Sequence, residues 1–193
     1  MLLFLVFSTN GIAQRLPPED EPLRFHQGYS ENGLIFGSIS FPMQKLNYDG
    51  AFLQIDYISD DKKERRKNSC KIKIGPTMFK GKHNGELDGG RTYLFVMEKK
   101  PGSYTIDWLR FTILKVGDYN GIEKDVAGFY IPFDVKKGEI TYIGNITIDE
   151  YAPLSNSIIN ISDQFEKDKN AMKEMQKMVN WDASIKSELK INR

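Results

Sequence analysis

The chain has 193 residues, and its 27 basic side chains nearly balance 26 acidic ones, which leaves a formal net charge of +1. The large charge imbalance that favours nucleic-acid binding is missing, so we predict no nucleic-acid partner. A single cysteine, Cys70, excludes an intramolecular disulfide, so the fold must be held together by its core. Twelve Phe, nine Tyr and two Trp favour a β-rich protein.

Residues 1–13 predict a secretory signal peptide. The apolar run 2–7 is followed by polar residues, and the small residues Gly11 and Ala13 stand three places and one place before the bond to Gln14. No basic residue precedes Leu2, so the sequence leaves the true start of this segment open. The alternative is a short apolar strand that ends at 8–11. Six apolar residues are too few for a bilayer span, which takes about 20. We predict an exported protein, periplasmic or extracellular, without a transmembrane helix.

Residues 14–32 are rich in proline and acidic residues at their start, which predicts an extended leader. Short apolar or alternating runs follow, bounded by Gly, Pro, Asn or Asp, as is typical of strands. These runs are 34–41, 51–58, 70–75, 91–97, 103–108, 110–115, 127–133, 140–149 and 156–161. The gaps between them are too short and too polar for the helices of a parallel α/β fold. We predict a mainly β fold, an antiparallel β-sandwich of about eight or nine strands over residues 33–161.

The pattern changes to a helical period in residues 162–193. Phe165, Met172, Met175 and Val179 fall on one helical face, and Asp163 followed by Glu166 resembles a capping box. We predict one C-terminal amphipathic helix over 163–179 that packs on the sheets. A partner groove or a membrane-surface stripe is the alternative use of its apolar face. The tail from 180 onward is left open between a second helix and a frayed end.

Two segments carry a resemblance to known domains. Residues 91–108 contain Tyr93-Leu94-Phe95-Val96 and then Lys100-Pro101-Gly102-Ser103-Tyr104-Thr105-Ile106, and a later segment is Lys137-Gly138-Glu139-Ile140-Thr141-Tyr142-Ile143-Gly144. These segments resemble transthyretin-like and carboxypeptidase-regulatory-like β-sandwich domains, which also occur in bacterial envelope proteins of unknown function. The resemblance implies a fold and a location, and it carries no catalytic residues.

The same segments predict turns and buried aromatic rings. Pro101-Gly102 and Gly138 are suited to tight turns. Tyr104 can bury its ring and direct its hydroxyl to a backbone group, and Tyr142 follows Gly138 in the same way. Trp108 alternates with Tyr104 and Ile106, so we expect it to share their inward face.

The run 60–68 is the sharpest charge feature of the chain. Its basic residues, Lys62, Lys63, Arg65, Arg66 and Lys67, could bind an anionic glycan, a lipid headgroup or an acidic partner. The simpler interpretation is a solvated hairpin loop between strands 51–58 and 70–75. Among the aromatics, Tyr130 and Trp181 are candidates for a sugar-stacking surface, although Trp181 could equally anchor the C-terminal helix.

No spacing of residues predicts a catalytic triad, a carboxylate pair, a metal site or a cofactor site. We therefore predict an exported, non-enzymatic binding or scaffolding protein of the bacterial envelope, with an envelope protein or a glycan as partner. The alternative is a carbohydrate-binding accessory domain. A small hydrolase is a third hypothesis, which requires a cleft with two close carboxylates of shifted pKa. The sequence leaves the ligand and the oligomeric state open.

Overall fold

The computed structural model describes residues 23–42, 50–74, 85–89, 91–113, 122–126, 128–149, 151–152 and 158–192. The predicted signal peptide and the first part of the predicted leader lie outside these ranges. The described strands are β1 (Gly33–Ser40), β2 (Gly50–Tyr57), β3 (Cys70–Ile74), β4 (Gly85–Leu87), β5 (Thr92–Lys99), β6 (Gly102–Ile113), β7 (Ile122–Val126), β8 (Ile131–Val135), β9 (Ile140–Ile148), β10 (Ile159–Ser162) and β11 (Ile185–Lys186). The helices are α1 (Lys62–Asn68), α2 (Phe165–Met175) and a 3₁₀ turn, Trp181–Ala183.

The fold is mainly β, and its strands form two sheets. The first sheet has the order β10-β9-β1-β5-β4, with β11 also paired to β9. The second has the order β3-β2-β6-β7, with β8 also paired to β6. The strand pairs are antiparallel except for β1 with β9 and β11 with β9, which are parallel. The parallel β1–β9 pair joins segments about a hundred residues apart, which no local pattern could predict.

Two clusters of buried side chains hold these elements together. The larger contains side chains of both sheets, such as Ile35 and Phe95 of the first and Leu53 and Ile106 of the second. The smaller lies on the opposite face of the first sheet, where Phe36 and Val96 contact residues of α2. The first sheet is therefore buried on both faces, which explains why the burial of β1 is almost continuous rather than alternating.

The predicted leader is partly built into the fold. Phe25 is buried in the smaller cluster, and the backbone N–H of Leu23 donates to the side chain of Gln176 at 2.9 Å. The backbone N–H of Gly28 donates to the carbonyl of Gly138 at 2.9 Å. The part of the leader that the structure describes, residues 23–32, is thus packed on the domain rather than extended away from it.

A β-bulge in β6 corrects the assignment of Trp108 to the core. The segments 103–108 and 110–115 were predicted as two strands, but β6 is continuous over Gly102–Ile113. Trp108 pairs with Gln54 and Ile106 pairs with Ile55, so Asp107 is an extra residue in the ladder. Because one inserted residue reverses the faces beyond it, Leu109 is buried and Trp108 is only half-buried, with Lys71 and Arg110 over its ring.

The two helices also differ from the predictions. The run 60–68 does join β2 to β3, but it contains the helix α1 instead of a loop. The C-terminal helix α2 ends at Met175, four residues short of the prediction, and Met175 itself is exposed. The predicted capping box does not form, because the N-cap is Gln164 rather than Asp163; the Asp163 carboxylate instead accepts from the backbone N–H of Phe165 at 2.9 Å. The tail forms the 3₁₀ turn and β11 instead of a second helix.

Candidate functional site

The helix α1 presents the five basic residues of the 60–68 run. It begins because the Asp61 carboxylate accepts a hydrogen bond from the backbone N–H of Lys63 at 2.7 Å and a longer one from Glu64. It ends at Ser69, whose N–H donates to the carbonyl of Arg65. None of its residues is buried. A seven-residue helix without an apolar face is not stable alone, so contacts with the rest of the protein must hold it in place.

Two lysines from the β5–β6 turn supply these contacts. Lys99 is only 1% exposed, and its ammonium donates to the carbonyl of Asn68 at 3.1 Å. A cation at this position is favoured by the dipole at the helix C-terminus. Lys100 forms an ion pair with Glu64, and its hydrogen bond lowers the pKa of that carboxyl. The helix is therefore fixed at both its middle and its end.

The basic side chains of α1 are free to contact a partner. Lys62, Lys63, Arg65, Arg66 and Lys67 are all exposed. In the part of the chain that the structure describes, none of them forms an ion pair with a carboxylate. These five cations outnumber the three acidic residues of the same run, Asp60, Asp61 and Glu64, so the run has a local positive charge although the chain as a whole is nearly neutral.

A groove of about 970 Å³ lies beside α1 on the second sheet, and we call it the α1 groove. Lys62, Arg65 and Arg66 line it on the helix side, whereas Lys63 and Lys67 do not. The remaining lining residues come from β2, β3, β6 and the segments on either side of α1: Gln54, Asp56, Tyr57, Ile58, Ser59, Asp60, Ser69, Cys70, Lys71, Thr105 and Asp107. The groove is thus basic along the helix, whereas its sheet side holds two carboxyls, Asp56 and Asp107, and one lysine, Lys71.

The sheet side of the α1 groove holds two half-buried carboxyls, Asp56 and Asp107. Burial raises the pKa of Asp107, and the nearby charge of Asp56 raises it further. Thr105, the cross-strand partner of Asp56, is 5% exposed, and its hydroxyl has no hydrogen-bond partner among the described residues. These groups can accept hydrogen bonds from a ligand, and the two carboxyls can also pair with a positively charged group of the ligand. Alternation alone places Thr105 and Asp107 opposite Ile106, and Asp56 opposite Ile55, but the pairing of β2 with β6 beside α1 is what brings them together in one groove.

Tyr130 and Trp181 do not lie together. Tyr130 is 38% exposed and lines a neighbouring cavity of about 460 Å³, which shares Ile58 with the α1 groove. Trp181 is 1% exposed, its indole N–H donates to the carbonyl of Gln176 at 2.9 Å, and its ring contacts Phe36. Trp181 is therefore a core residue that anchors the segment after α2, which removes it from the candidate binding residues.

The residues assigned to turns and core occupy the ends of β5, β6, β8 and β9. Pro101 and Gly102 join β5 to β6, and a Cβ on Gly102 would lie 2.6 Å from the ring of Tyr57. Tyr104 is fully buried, and its hydroxyl donates to the carbonyl of Lys100 at 2.8 Å. Gly138 has a φ of +67° in the β8–β9 turn, where a Cβ would lie 2.9 Å from the backbone of Gly28. Tyr142 is buried with its hydroxyl bonded to Asp168.

Within the described part of the chain, no three His, Cys, Asp or Glu side chains are grouped closely enough to hold a metal ion. No helix of that part of the chain is both long and apolar enough to span a membrane.

Comparison with known proteins adds little. No protein-family model matches the sequence, and no curated protein matches it. Among solved structures, the chain is similar to a leucine-rich repeat protein from Bacteroides thetaiotaomicron, with 12% sequence identity and a TM-score of 0.34. The match covers 76% of this chain but only 16% of that protein. Similarity this weak does not establish a shared fold or a shared function.

Proposed function

We propose that this protein is an exported, non-enzymatic binding or scaffolding protein of the bacterial envelope, whose partner contacts the α1 groove. The observation that supports this proposal most directly is the set of cations on α1 that have no carboxylate partner among the described residues. Lys99 and Lys100 hold this helix beside a large groove, although the helix buries none of its own residues. A polar helix that is fixed in place but contributes little to the core is suited to serve as a binding surface. The export part of the proposal is supported by the apolar run and small residues within 1–13.

The charge distribution of the groove narrows the partner chemistry. Arg65 and Arg66 offer bidentate hydrogen bonds to a carboxylate, sulfate or phosphate. Asp56 and Asp107, on the opposite wall, accept from hydroxyl or amine donors. An acidic saccharide, or an acidic protein segment that also carries hydrogen-bond donors, could pair with the arginines of α1 and donate to the carboxyls of the sheet. A ligand with anionic groups alone could bind only the arginines.

We also propose that the two sheets form a β-sandwich related to the transthyretin-like and carboxypeptidase-regulatory-like domains. The support is the cluster of buried side chains that draws on both sheets, together with the turns at Pro101-Gly102 and Gly138. In this arrangement α2 is an addition that covers the free face of the first sheet. The β11 and 3₁₀ segments then extend that cover.

The structure weakens the carbohydrate-binding alternative as far as it depends on a sugar-stacking surface of aromatic rings. A stacking platform needs exposed rings, but Trp181 is buried, and Lys71 and Arg110 lie 4.7 Å and 4.9 Å from the ring centre of Trp108. Tyr130 is the remaining exposed member of the predicted pair. The alternative therefore depends on hydrogen bonding in the groove more than on aromatic stacking.

One observation favours the hydrolase hypothesis as a second candidate. That hypothesis required a cleft with two neighbouring carboxyls of shifted pKa, and Asp56 and Asp107 line the same groove with the pKa of Asp107 raised. In this hypothesis Asp107 is the candidate acid, because burial raises its pKa, and Asp56 is the candidate second carboxyl. The test is glycosidase activity on chromogenic glycosides. If Asp107→Asn abolishes such activity and Asp134→Asn leaves it intact, the hydrolase hypothesis would replace the binding proposal.

The binding proposal is tested by charge reversal on α1. Fluorescence anisotropy would measure the affinity of the full chain for a labelled heparin oligosaccharide and for a labelled poly-glutamate peptide. We expect the Arg65→Glu/Arg66→Glu variant to lose at least tenfold in affinity for one probe. The matched control is Lys177→Glu/Lys190→Glu, which makes the same charge change at exposed lysines outside the groove. Equal losses in both variants, or no binding by the unaltered protein, would contradict the proposal.

A further inference from the structure

A second cavity, of about 440 Å³, lies on the face of the first sheet near the start of α2, and we call it the α2 pocket. Its lining includes Ser40, Thr92, Asn145, Thr147, Ser162 and Asp168, which come from β1, β5, β9, β10 and α2. It shares no lining residue with the α1 groove. Its volume falls within the range of about 300–1,000 Å³ that is common for small-molecule sites.

The most unusual group in the α2 pocket is the carboxyl of Asp168, which is 0% exposed. Its Oδ2 accepts hydrogen bonds from the hydroxyls of Ser38, at 2.6 Å, and Tyr142, at 2.9 Å. Its Oδ1 has no hydrogen-bond partner among the described residues. Burial raises the pKa of Asp168, whereas the bonds from Ser38 and Tyr142 act in the opposite direction. A buried polar atom without a partner is costly and calls for an explanation.

The amide of Asn145 orders the hydrogens around Asp168. Its Nδ2 donates to the hydroxyl oxygens of Ser38, at 2.7 Å, and Ser40, at 2.6 Å. Its Oδ1 accepts from the hydroxyls of Thr147, at 3.0 Å, and Ser162, at 3.1 Å. All four hydrogen-bonding positions of the Asn145 amide are therefore occupied within the protein.

The hydroxyls of Thr92 and Ser40 also donate their hydrogens to acceptors within the protein. Asp88 is a carboxylate that can only accept, so Thr92 donates its hydrogen to Asp88 at 2.7 Å. Ser40 must then donate to the Thr92 oxygen, 3.0 Å away. The hydrogens of Ser40, Thr92, Thr147 and Ser162 are thus all committed to protein acceptors. What these hydroxyls can still offer to a ligand is their lone pairs.

The charged groups of the α2 pocket are also engaged with one another. Lys167 pairs with Asp88 at 2.5 Å, and the Nε of Arg91 donates to the Asp88 carbonyl at 3.1 Å. Lys167 and Arg91 therefore both contact Asp88. The hydroxyl lone pairs around the buried carboxyl suit a ligand that brings several hydrogen-bond donors.

We propose that the α2 pocket is a binding site for a neutral polyhydroxylated ligand, such as one sugar residue, whose hydroxyls donate to Oδ1 of Asp168 and to the oxygens of Ser40, Thr92, Thr147 and Ser162. This site is separate from the α1 groove and does not depend on the proposed function. Its signal in the sequence is weak, since Ser, Thr and Asn on strands are ordinary. The site exists because the parallel pairing of β1 with β9 places Ser38 beside Asn145.

Two-dimensional amide NMR on the full chain tests this proposal. The probes are glucose and N-acetylglucosamine as neutral sugars, ammonium chloride as a simple donor cation, and sodium acetate as an anion. We expect a neutral sugar to cause saturating shifts at Ser40, Thr147, Ser162 and Asp168. The proposal is overturned if neither sugar shifts these amides, or if only ammonium or only acetate does.

Variants separate the pocket from general effects. Asp168→Asn keeps the shape but places a donor where Oδ1 accepts, so we expect sugar affinity to fall at least tenfold. The matched control is Asp134→Asn, whose carboxylate also accepts from a serine hydroxyl, Ser103, at 2.7 Å but lies outside this pocket. If Asp168→Asn does not fold, Thr147→Val is the test variant. It removes one acceptor for the ligand while the Ser162 hydroxyl still donates to Asn145, so we expect sugar affinity to fall about fivefold. Unchanged affinity in the folded variants would refute the site.

Discussion

Tyr142 is the residue whose hydroxyl links the buried Asp168 carboxyl to the start of α2. The hydroxyl donates to Oδ2 of Asp168 at 2.9 Å and accepts from the backbone N–H of Gln164 at 3.1 Å. The residue is almost fully buried, and both that burial and Asp168 raise the pKa of its phenol, so it stays protonated as a donor. Tyr142→Phe removes this hydroxyl and leaves the ring in place.

The expected cost follows from the two bonds that are lost. Each buried hydrogen bond contributes about 1 kcal/mol net, and one to a carboxylate contributes somewhat more, so Tyr142→Phe should lower the free energy of unfolding by about 2 kcal/mol. The matched control is Tyr104→Phe, which removes a single bond to the Lys100 carbonyl from an equally buried ring and should cost about 1 kcal/mol. For a chain of this size, 2 kcal/mol lowers Tm by roughly 4–8 °C.

Urea unfolding followed by tryptophan fluorescence measures both variants. Trp181 is buried in the same cluster as Tyr142, so its emission reports on the region of α2. The expected order of stability is the unaltered protein, then Tyr104→Phe, then Tyr142→Phe. A Tyr142→Phe variant as stable as Tyr104→Phe would refute the view that the Asp168 network stabilises the packing of α2.

Three further predictions concern stability. Because burial raises the pKa of Asp168, the folded state holds the proton of this carboxyl more tightly than the unfolded chain does. The stability that this group contributes is therefore greatest at low pH and is lost as the pH rises through the folded pKa. In urea unfolding from pH 4 to 8, the stability of Asp168→Asn relative to the unaltered protein should therefore increase as the pH rises. Gly102→Ala places a Cβ 2.6 Å from an aromatic ring and should cost more than Gly128→Ala, where φ is also positive but nothing lies within 4 Å; equal thermal shifts would contradict this. Trp181→Ala should cost about 3–5 kcal/mol, and Trp108→Ala, on the half-exposed face, about 1 kcal/mol or less; the reverse order in chemical denaturation would restore Trp108 to the core.

Local patterns were sufficient where a strand has one buried face and one exposed face. Leu53 and Ile55 alternate with Gln54 in β2, and their burial alternates in the same way. The helical spacing of Phe165 and Met172 likewise marks the buried stripe of α2. In such elements the side-chain period is a property of the backbone alone, so it is visible in the order of residues.

The candidate sites depend on contacts between residues that are far apart in the sequence. The basic run was visible in the sequence as a set of charges, but the helix that displays it is stabilised by Lys99 and Lys100, more than thirty residues away. One extra residue at Asp107 exchanged the faces of β6 beyond it, so the position of Trp108 could not be derived from alternation. Asp56 and Asp107 share the α1 groove because β2 pairs with β6, which is a long-range contact.

The sequence by itself determined the β-rich character, the turn at Pro101-Gly102 and the apolar stripe of the C-terminal helix, because each depends on residues that are neighbours along the chain. The tertiary structure alone decided that Asp168 is buried beside Ser38 and Asn145, which lie 130 and 23 positions away and are brought together by β1–β9 pairing and the packing of α2. The physical reason is that the pKa and bonding of a carboxyl depend on what surrounds it in space, and long-range strand pairing sets those surroundings.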